Sequence, residues 1–321
     1  MKHVILYSKM DPIPESLVNA VYTGSYGIEA RVEFEQDRVQ KFITKKACDI
    51  LICTEPDYDI FNYHHTMNPG GVRILVTDQT MEFYSQKLQN REEILVDHII
   101  AFAPESYLTR LEVITTLQKL IKSDIFGVEK YLKGGSNVII KEVVSPSSRD
   151  QLNSEVMEYA NSHKIGSYRS KLAFSISEEL LMNATYDALS AAGVTKYGDL
   201  RENPTTTLDP EHRSLLQYAC DGEIFAISVK DPFGLLKREK YYQYLKKVLS
   251  RDDSTKIIDT KKGGAGLGLF KILFSSHSLI CNVQDNKFTE MIAIIDLNSK
   301  VKDFSRMTRS IHFFHKAESE S

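Results

Sequence analysis

The rhythm of the first 122 residues constrains the fold most. Short apolar runs alternate with stretches of helical spacing. The runs are Val4-Ile5-Leu6-Tyr7, Asp49-Ile50-Leu51-Ile52-Cys53, Val72-Arg73-Ile74-Leu75-Val76 and His98-Ile99-Ile100-Ala101-Phe102. Helical spacing covers Glu15 to Thr23 and Gln36 to Lys46, and a long helix from Tyr107 to Ile121 closes the unit. Ile28 to Phe34 alternates apolar and polar like a half-exposed strand. Apolar runs of about five residues separated by helices require a parallel sheet covered on both faces, so the expected fold class is α/β.

Composition closes off other classes. With 321 residues the chain has room for two domains, and 42% apolar with 26% charged residues is ordinary for a globular protein. A net charge of -3 provides no field for nucleic acid or for an anionic membrane. Cys48, Cys53, Cys220 and Cys281 form no Cys-x-x-Cys pair, which disfavours a disulfide framework or a zinc site and suits reduced thiols. No apolar run approaches the roughly 20 residues that span a bilayer. The N-terminus enters a strand-like run directly rather than a signal peptide. A cytoplasmic protein is expected.

Glycines and a serine in Lys133-Gly134-Gly135-Ser136-Asn137 break the helical pattern. Residues 1–122 form the first domain, 123–135 a linker, 136–298 a second domain and 299–321 a C-terminal extension. The second domain opens with a strand at Val138 to Val144, a turn at Ser145-Pro146-Ser147-Ser148 and a helix from about Arg149 to Ser162, capped by Ser147 or Ser148. This boundary leaves no helical hairpin with a phosphoacceptor histidine, and His163 reads as a surface or capping residue. An autophosphorylating histidine kinase is therefore not expected.

Three features follow in the second half. Glu179, Asn183 and Asp187 fall four apart in a helical stretch from Ser175 to Leu189, on one face. An amide oxygen can ligate Mg²⁺, and a carboxylate one turn away can orient or deprotonate a nucleophile. In isolation the same spacing is a solvated polar stripe. Next, a strand from Phe225 to Lys230 delivers Asp231-Pro232-Phe233-Gly234-Leu235, where Asp231 can accept a hydrogen bond from a base amino group; in isolation it is an Asp-Pro turn. Last comes Gly263-Gly264-Ala265-Gly266-Leu267-Gly268, ahead of apolar Leu269 to Phe274. A glycine run opening a helix is either a hinge or a phosphate grip made of backbone N–H groups and the positive helix end.

In this order the three boxes resemble the ATP-binding fold shared by DNA gyrase, the heat-shock chaperone, histidine kinases and the MutL proteins. The resemblance covers residues 136 to 298 and implies an α/β-sandwich domain. Within that superfamily the chain is most similar to the anti-sigma-factor serine kinases. The resemblance implies ATP and Mg²⁺ as cofactors, with Asn183 as metal ligand and Glu179 as base or water-positioning acid. Asp231 would read adenine, supported by Thr289. Gly264, Gly266, Leu267 and Gly268 would hold the phosphates, and Asp187, Phe233 and Gly234 would line the nucleotide. Residues 236–262 would form the lid. The family's first glycine box is Asp-x-Gly-x-Gly, whereas Phe233 and Leu235 hold the glycine positions here. A phenylalanine there either packs on adenine or fills its pocket.

The first domain resembles a receiver, the flavodoxin-like module of two-component signalling, with its chemistry eroded. The first strand is followed by Ser8-Lys9-Met10-Asp11 instead of an acidic pair, Thr54 holds the phosphoacceptor position, and Ala103-Pro104 replaces Lys-Pro. Together the resemblances imply an ATP-Mg-binding bacterial signalling protein. It would be a serine/threonine protein kinase or weak ATPase acting on a protein partner, with the degenerate receiver used for docking or homodimerisation. The alternative is an inactive nucleotide-sensing switch or scaffold. In the tail, Ile311-His312-Phe313-Phe314-His315 is apolar enough for an added strand or a partner contact. His312 and His315 are a weak metal pair, His64-His65 reads as loop decoration, and Lys316 to Ser321 should be disordered.

Overall fold

The computed structural model describes residues 2–80 (except 11 and 56), 96–249 (except 105) and 267–318 (except 302, 303, 305 and 306); of 247–249 and 267 it describes the backbone alone. The chain is mixed α/β and divides into two compact units. The first comprises Met1–Thr80, Asn90–Ile125 and Thr308–His312; the second includes Phe126–Met307 and Phe313–Ser321. No helix among the described residues is long and apolar enough to cross a membrane.

In the first unit, strands β1 (His3–Tyr7), β2 (Glu29–Glu33), β3 (Ile50–Cys53), β4 (Val72–Thr77) and β5 (His98–Ala101) pair in the order β2-β1-β3-β4-β5, all parallel. Helices α1 (Glu15–Gly24) and α4 (Tyr107–Lys122) pack on each other, as do α2 (Gln36–Thr44) and α3 (Tyr58–Met67). Alternate strand residues Val4, Leu6, Ile50, Ile52, Ile74, Val76 and Ile100 meet Leu17 and Val21 of α1 and Val113 and Leu117 of α4. Both faces of the central strands are buried, as their continuous apolar runs require. Helix α3 has no counterpart in the sequence reading. It starts at Asp57, whose side chain accepts from the Ile60 N–H. His64 within it is no loop decoration: it is fully buried, with Nε2 3.0 Å from the Cys48 carbonyl oxygen.

The C-terminal segment supplies this unit with an antiparallel strand. Ile311 and His312, from β11 (Ser310–Lys316), pair with Ile99 and His98. Ser310 Oγ donates to Glu112 Oε2 at 2.6 Å and accepts from the Ala101 N–H at 2.9 Å. His312 Nε2 lies 3.6 Å from Glu112 Oε1, with both side chains buried. His315, exposed, lies 3.0 Å from Asp285, and residues three apart in a strand point to opposite faces, so His312 and His315 do not converge on one ion. Lys316, expected to begin a disordered end, instead closes β11, and residues 319–321 of that expected segment lie outside the described residues. Ser310→Ala would leave a buried carboxylate oxygen and a half-buried N–H short of a partner. It is expected to cost about 2 kcal/mol and to speed exchange of the Ala101 amide; an unchanged rate would show that the bond is not made.

The second unit is built on an antiparallel sheet in the order β9-β10-β8-β7-β6, from β6 (Ile139–Glu142), β7 (Leu215–Cys220), β8 (Ile224–Asp231), β9 (Ser278–Gln284) and β10 (Phe288–Asp296). Helix α5 (Ser148–Ser162) packs on α6 (Ser167–Met182), and α9 (Leu267–Ser275) lies beside α6 on the sheet. Ala173, Ile176, Leu180 and Leu181 form the buried face of α6, at helical spacing. A single π turn, Asn183–Asp187, continues α6 into a short helix α7 (Ala188–Ala191). Helix α8 (Arg238–Leu249) occupies the start of the expected lid and buries Tyr241, Tyr242 and Leu245; residues 250–262 of that lid lie outside the described residues.

Candidate functional site

Glu179 and Asn183 stand one α turn apart at the end of α6, where the Asn183 N–H donates to the Glu179 carbonyl. The next turn is wider: the Ala188 N–H reaches back five residues to the Asn183 carbonyl. A π turn inserts one extra residue, so positions four apart cease to share a face, and such turns concentrate at functional sites. Asp187 therefore does not continue the stripe begun by Glu179 and Asn183, and it is exposed. The Asn183 carboxamide is half-buried and makes no hydrogen bond to another described residue.

The last glycine of the late run comes to this pair. A β-carbon on Gly268 would lie 2.8 Å from Glu179 Oε2 and 3.4 Å from Asn183 Oδ1. A side chain at this position would have to displace the end of the Glu179 side chain, so glycine leaves α9 in direct approach to both groups. One turn on, Lys271 Nζ contacts Glu179 Oε1 at 2.5 Å. The carboxylate is thus held between an ammonium and a bare backbone. Lys271 escaped the sequence reading, although a lysine three residues after Gly268 shares its helix face. Gly264 and Gly266 lie outside the described residues; Leu267 opens α9, and nothing is described of its side chain.

Asp231 ends β8 opposite Thr289 of β10. One of its oxygens accepts from the Phe233 N–H at 3.0 Å. The residue keeps some solvent contact, yet it is densely surrounded. Loss of hydration pushes its carboxyl up to about 6, against the opposing pull of the Phe233 and Gly234 N–H groups and of the hydroxyl and N–H of Thr289. A carboxylate kept ionised at a solvation cost beside a half-buried turn has the properties of an acceptor in a binding site.

Phe233 and Gly234 do different work. Phe233 stacks on His212, with ring centroids 5.9 Å apart, and packs with Tyr186, Val194 and Tyr197 on Leu189, Leu200 and Leu208. Its ring belongs to a small core beside α7. Gly234 has φ of 62°, and its missing β-carbon would meet the Gln284 carbonyl oxygen at 2.1 Å. The β9–β10 turn requires glycine there without any ligand.

The structure thus assembles Glu179, Asn183 and Gly268 in one group and Asp231, Thr289, Phe233 and Gly234 in another. Asp209, Glu211 and His212 have metal-ligand spacing, but Lys196 already contacts both acids and the Tyr197 hydroxyl lies 2.8 Å from His212 Nδ1. At the strand ends of the first unit, Thr54 Oγ1 donates to Ser8 Oγ at 2.8 Å and Lys9 pairs with Asp57 at 2.7 Å. No protein-family model matches the chain, and no curated protein matches it significantly.

Proposed function

We propose that the second unit is an Mg·ATP-binding module of the gyrase, chaperone, histidine-kinase and MutL type, preceded by a receiver-like unit whose phosphoryl chemistry is lost. The observation that carries this reading is the contact of Gly268 with Glu179 and Asn183. Two boxes far apart in sequence meet here, and a glycine backbone against a carboxylate–carboxamide pair makes the cradle an Mg-bound phosphate would need. The five parallel strands in the order β2-β1-β3-β4-β5 support the reading of the first unit.

The residues fit the group in kind. Bound Mg·ATP would supply a transferable phosphoryl group and a metal that neutralises it. Asn183 offers a hard amide oxygen with no competing hydrogen bond among the described residues. Glu179 Oε2 is placed to accept a proton or hold a water. Asp231 and the Thr289 hydroxyl offer an acceptor and a hydroxyl to a purine edge. Exchange of Lys271 from Glu179 to an anion would free that carboxylate. The most specific form of the proposal is a serine/threonine protein kinase of the anti-sigma-factor kinase type that phosphorylates a protein partner. The Lys271–Glu179 contact favours a second reading, a nucleotide-sensing switch without turnover, because it occupies the group that chemistry would use.

Calorimetry of the full chain with ATP and Mg²⁺ tests the reading. Binding is expected, and Asn183→Ala should weaken it at least about tenfold, a loss of roughly 1.4 kcal/mol. Its melting temperature should not move, since the carboxamide bonds no other described residue. Turnover that disappears in Glu179→Gln would select the kinase, whereas binding without turnover would select the switch. Absence of binding ends both readings.

A further inference from the structure

Two arginines of the second unit stand on one aromatic ring beside Asn183, and neither has a carboxylate partner among the described residues. The ring is that of Tyr186, three residues beyond Asn183 in the π turn. Arg201 Cζ lies 5.0 Å from its centroid and Arg149 Cζ 5.7 Å. The arginines come from different segments, Arg149 from the first turn of α5 and Arg201 from the connection between α7 and β7. A bond from the Ser147 N–H to the Pro204 carbonyl, 2.7 Å long, pins those segments together.

Among the described residues their charge is uncompensated. A guanidinium carries five N–H donors. The described hydrogen-bond partner of the Arg149 side chain is Met182 Sδ, a weak acceptor, and its buried Nε has none among the described residues. The exposed Arg201 guanidinium has neither a hydrogen bond nor an ion pair among them. By contrast, Arg73 is matched by Asp97 and Arg213 by Glu142. Of the nearby acids, Asp199 accepts from the Arg201 backbone N–H, while Asp150 and Glu202 are exposed and pair with neither arginine. Arg149 also sits at the positive end of its own helix. Two like charges thus share one ring, one of them at a helix end, with nothing among the described residues to neutralise them, and an anion would relieve that repulsion.

We propose that Arg149 and Arg201, stacked on Tyr186, form a clamp for a phosphate-type oxyanion. In a nucleotide-binding second unit that anion is the phosphate tail of the nucleotide whose metal Asn183 holds, and this clause rests on the function proposed above. The planar guanidinium fork suits a tetrahedral oxyanion, and stacking fixes the fork in advance. The chemistry alone does not distinguish a nucleotide tail from a free inorganic polyphosphate, so the experiment offers both.

The full chain would be titrated with Mg·ATP, adenosine and tripolyphosphate, as wild type, Arg149→Gln, Arg201→Gln and the double variant, each checked by thermal melting. Each substitution is expected to weaken ATP and tripolyphosphate roughly tenfold and to leave adenosine unchanged; the lysine variants should recover only part of the loss. Unchanged ATP affinity in a double variant that melts like wild type overturns the clamp and leaves the nucleotide reading standing. Arginine-dependent tripolyphosphate binding without adenosine binding, and with ATP held no more tightly, keeps the clamp and ends the nucleotide reading. Failure of both anions to bind overturns both. Should Arg149→Gln unfold, Arg201→Gln carries the test alone, because that side chain is exposed.

Discussion

Gly234→Ala is expected to unfold the second unit or to destabilise it by about 4 kcal/mol. Two costs add. The backbone at φ of 62° is in the left-handed region, which costs a residue with a β-carbon about 1–2 kcal/mol. The new methyl would also lie 2.1 Å from the Gln284 carbonyl oxygen, 2.7 Å from the Lys287 nitrogen and 2.9 Å from the Phe288 nitrogen. All three are backbone atoms of one hairpin turn, so no side chain can swing aside. Relief requires moving the turn that joins β9 to β10, with about 1–3 kcal/mol of overpacking on top. The Asn286 N–H bond to the Gly234 carbonyl, at 3.3 Å, would shift with it. Against a typical stability of about 5–15 kcal/mol such a loss is large. Amide exchange in β9 and β10 is the direct readout, because the two units need not unfold together. Wild-type protection in a soluble Gly234→Ala protein would sink the packing argument and return Gly234 to the candidates for ligand contact.

Gly234 also marks where sequence reasoning stops. A lone glycine after Asp231 invites a nucleotide explanation, whereas its need arises some fifty residues later in the chain, at a turn no local pattern reveals. The parallel strands β1, β3, β4 and β5 were readable because burial on both faces leaves mostly apolar residues in an unbroken run. Strands β7 and β9 were not. Ser278, Asn282 and Gln284 interrupt the apolar run of β9, and Asn282 is tolerated because it donates to the buried Glu290 at 2.8 Å, on the neighbouring strand. Helix α3 was hidden by Asn62, His64, His65 and Thr66, and its buried face includes His64, whose Nε2 meets a carbonyl from another segment. In the candidate site, Glu179 and Asn183 were legible from their four-residue spacing. Asp187 followed the same rule and is placed otherwise, since a π turn carries no spacing signature of its own. The apolarity of residues 311–314 announced a strand, but its partner β5 could not be read from the tail alone.

Asp231→Asn is expected to separate stability from binding in opposite directions. Burial lifts the carboxyl from 3.8 to about 6 in the folded state. Between those values the folded chain keeps a proton that the unfolded chain gives up, so stability falls as pH rises from about 4 to about 6 and stays at the lower level above it. The full span is worth at most about 3 kcal/mol. Asparagine has no charge to desolvate. Its oxygen can still accept from the Phe233 and Gly234 N–H groups and its amide can donate to the Thr289 hydroxyl, while the Thr289 N–H loses its acceptor, which offsets about 1 kcal/mol of the gain. The variant should therefore melt no lower than wild type at pH 7.5, and the stability lost between pH 4 and 6 in wild type should be absent from it. Nucleotide affinity should move the other way by at least about tenfold, since one acceptor toward a base amino group has become a donor. A variant destabilised by more than about 1 kcal/mol at pH 7.5 would mean that the carboxylate is structural. A variant that is stabilised yet binds ATP as before would mean that Asp231 reads no base. Only the combination of gained stability and lost affinity is what a residue kept for binding at the expense of the fold should give.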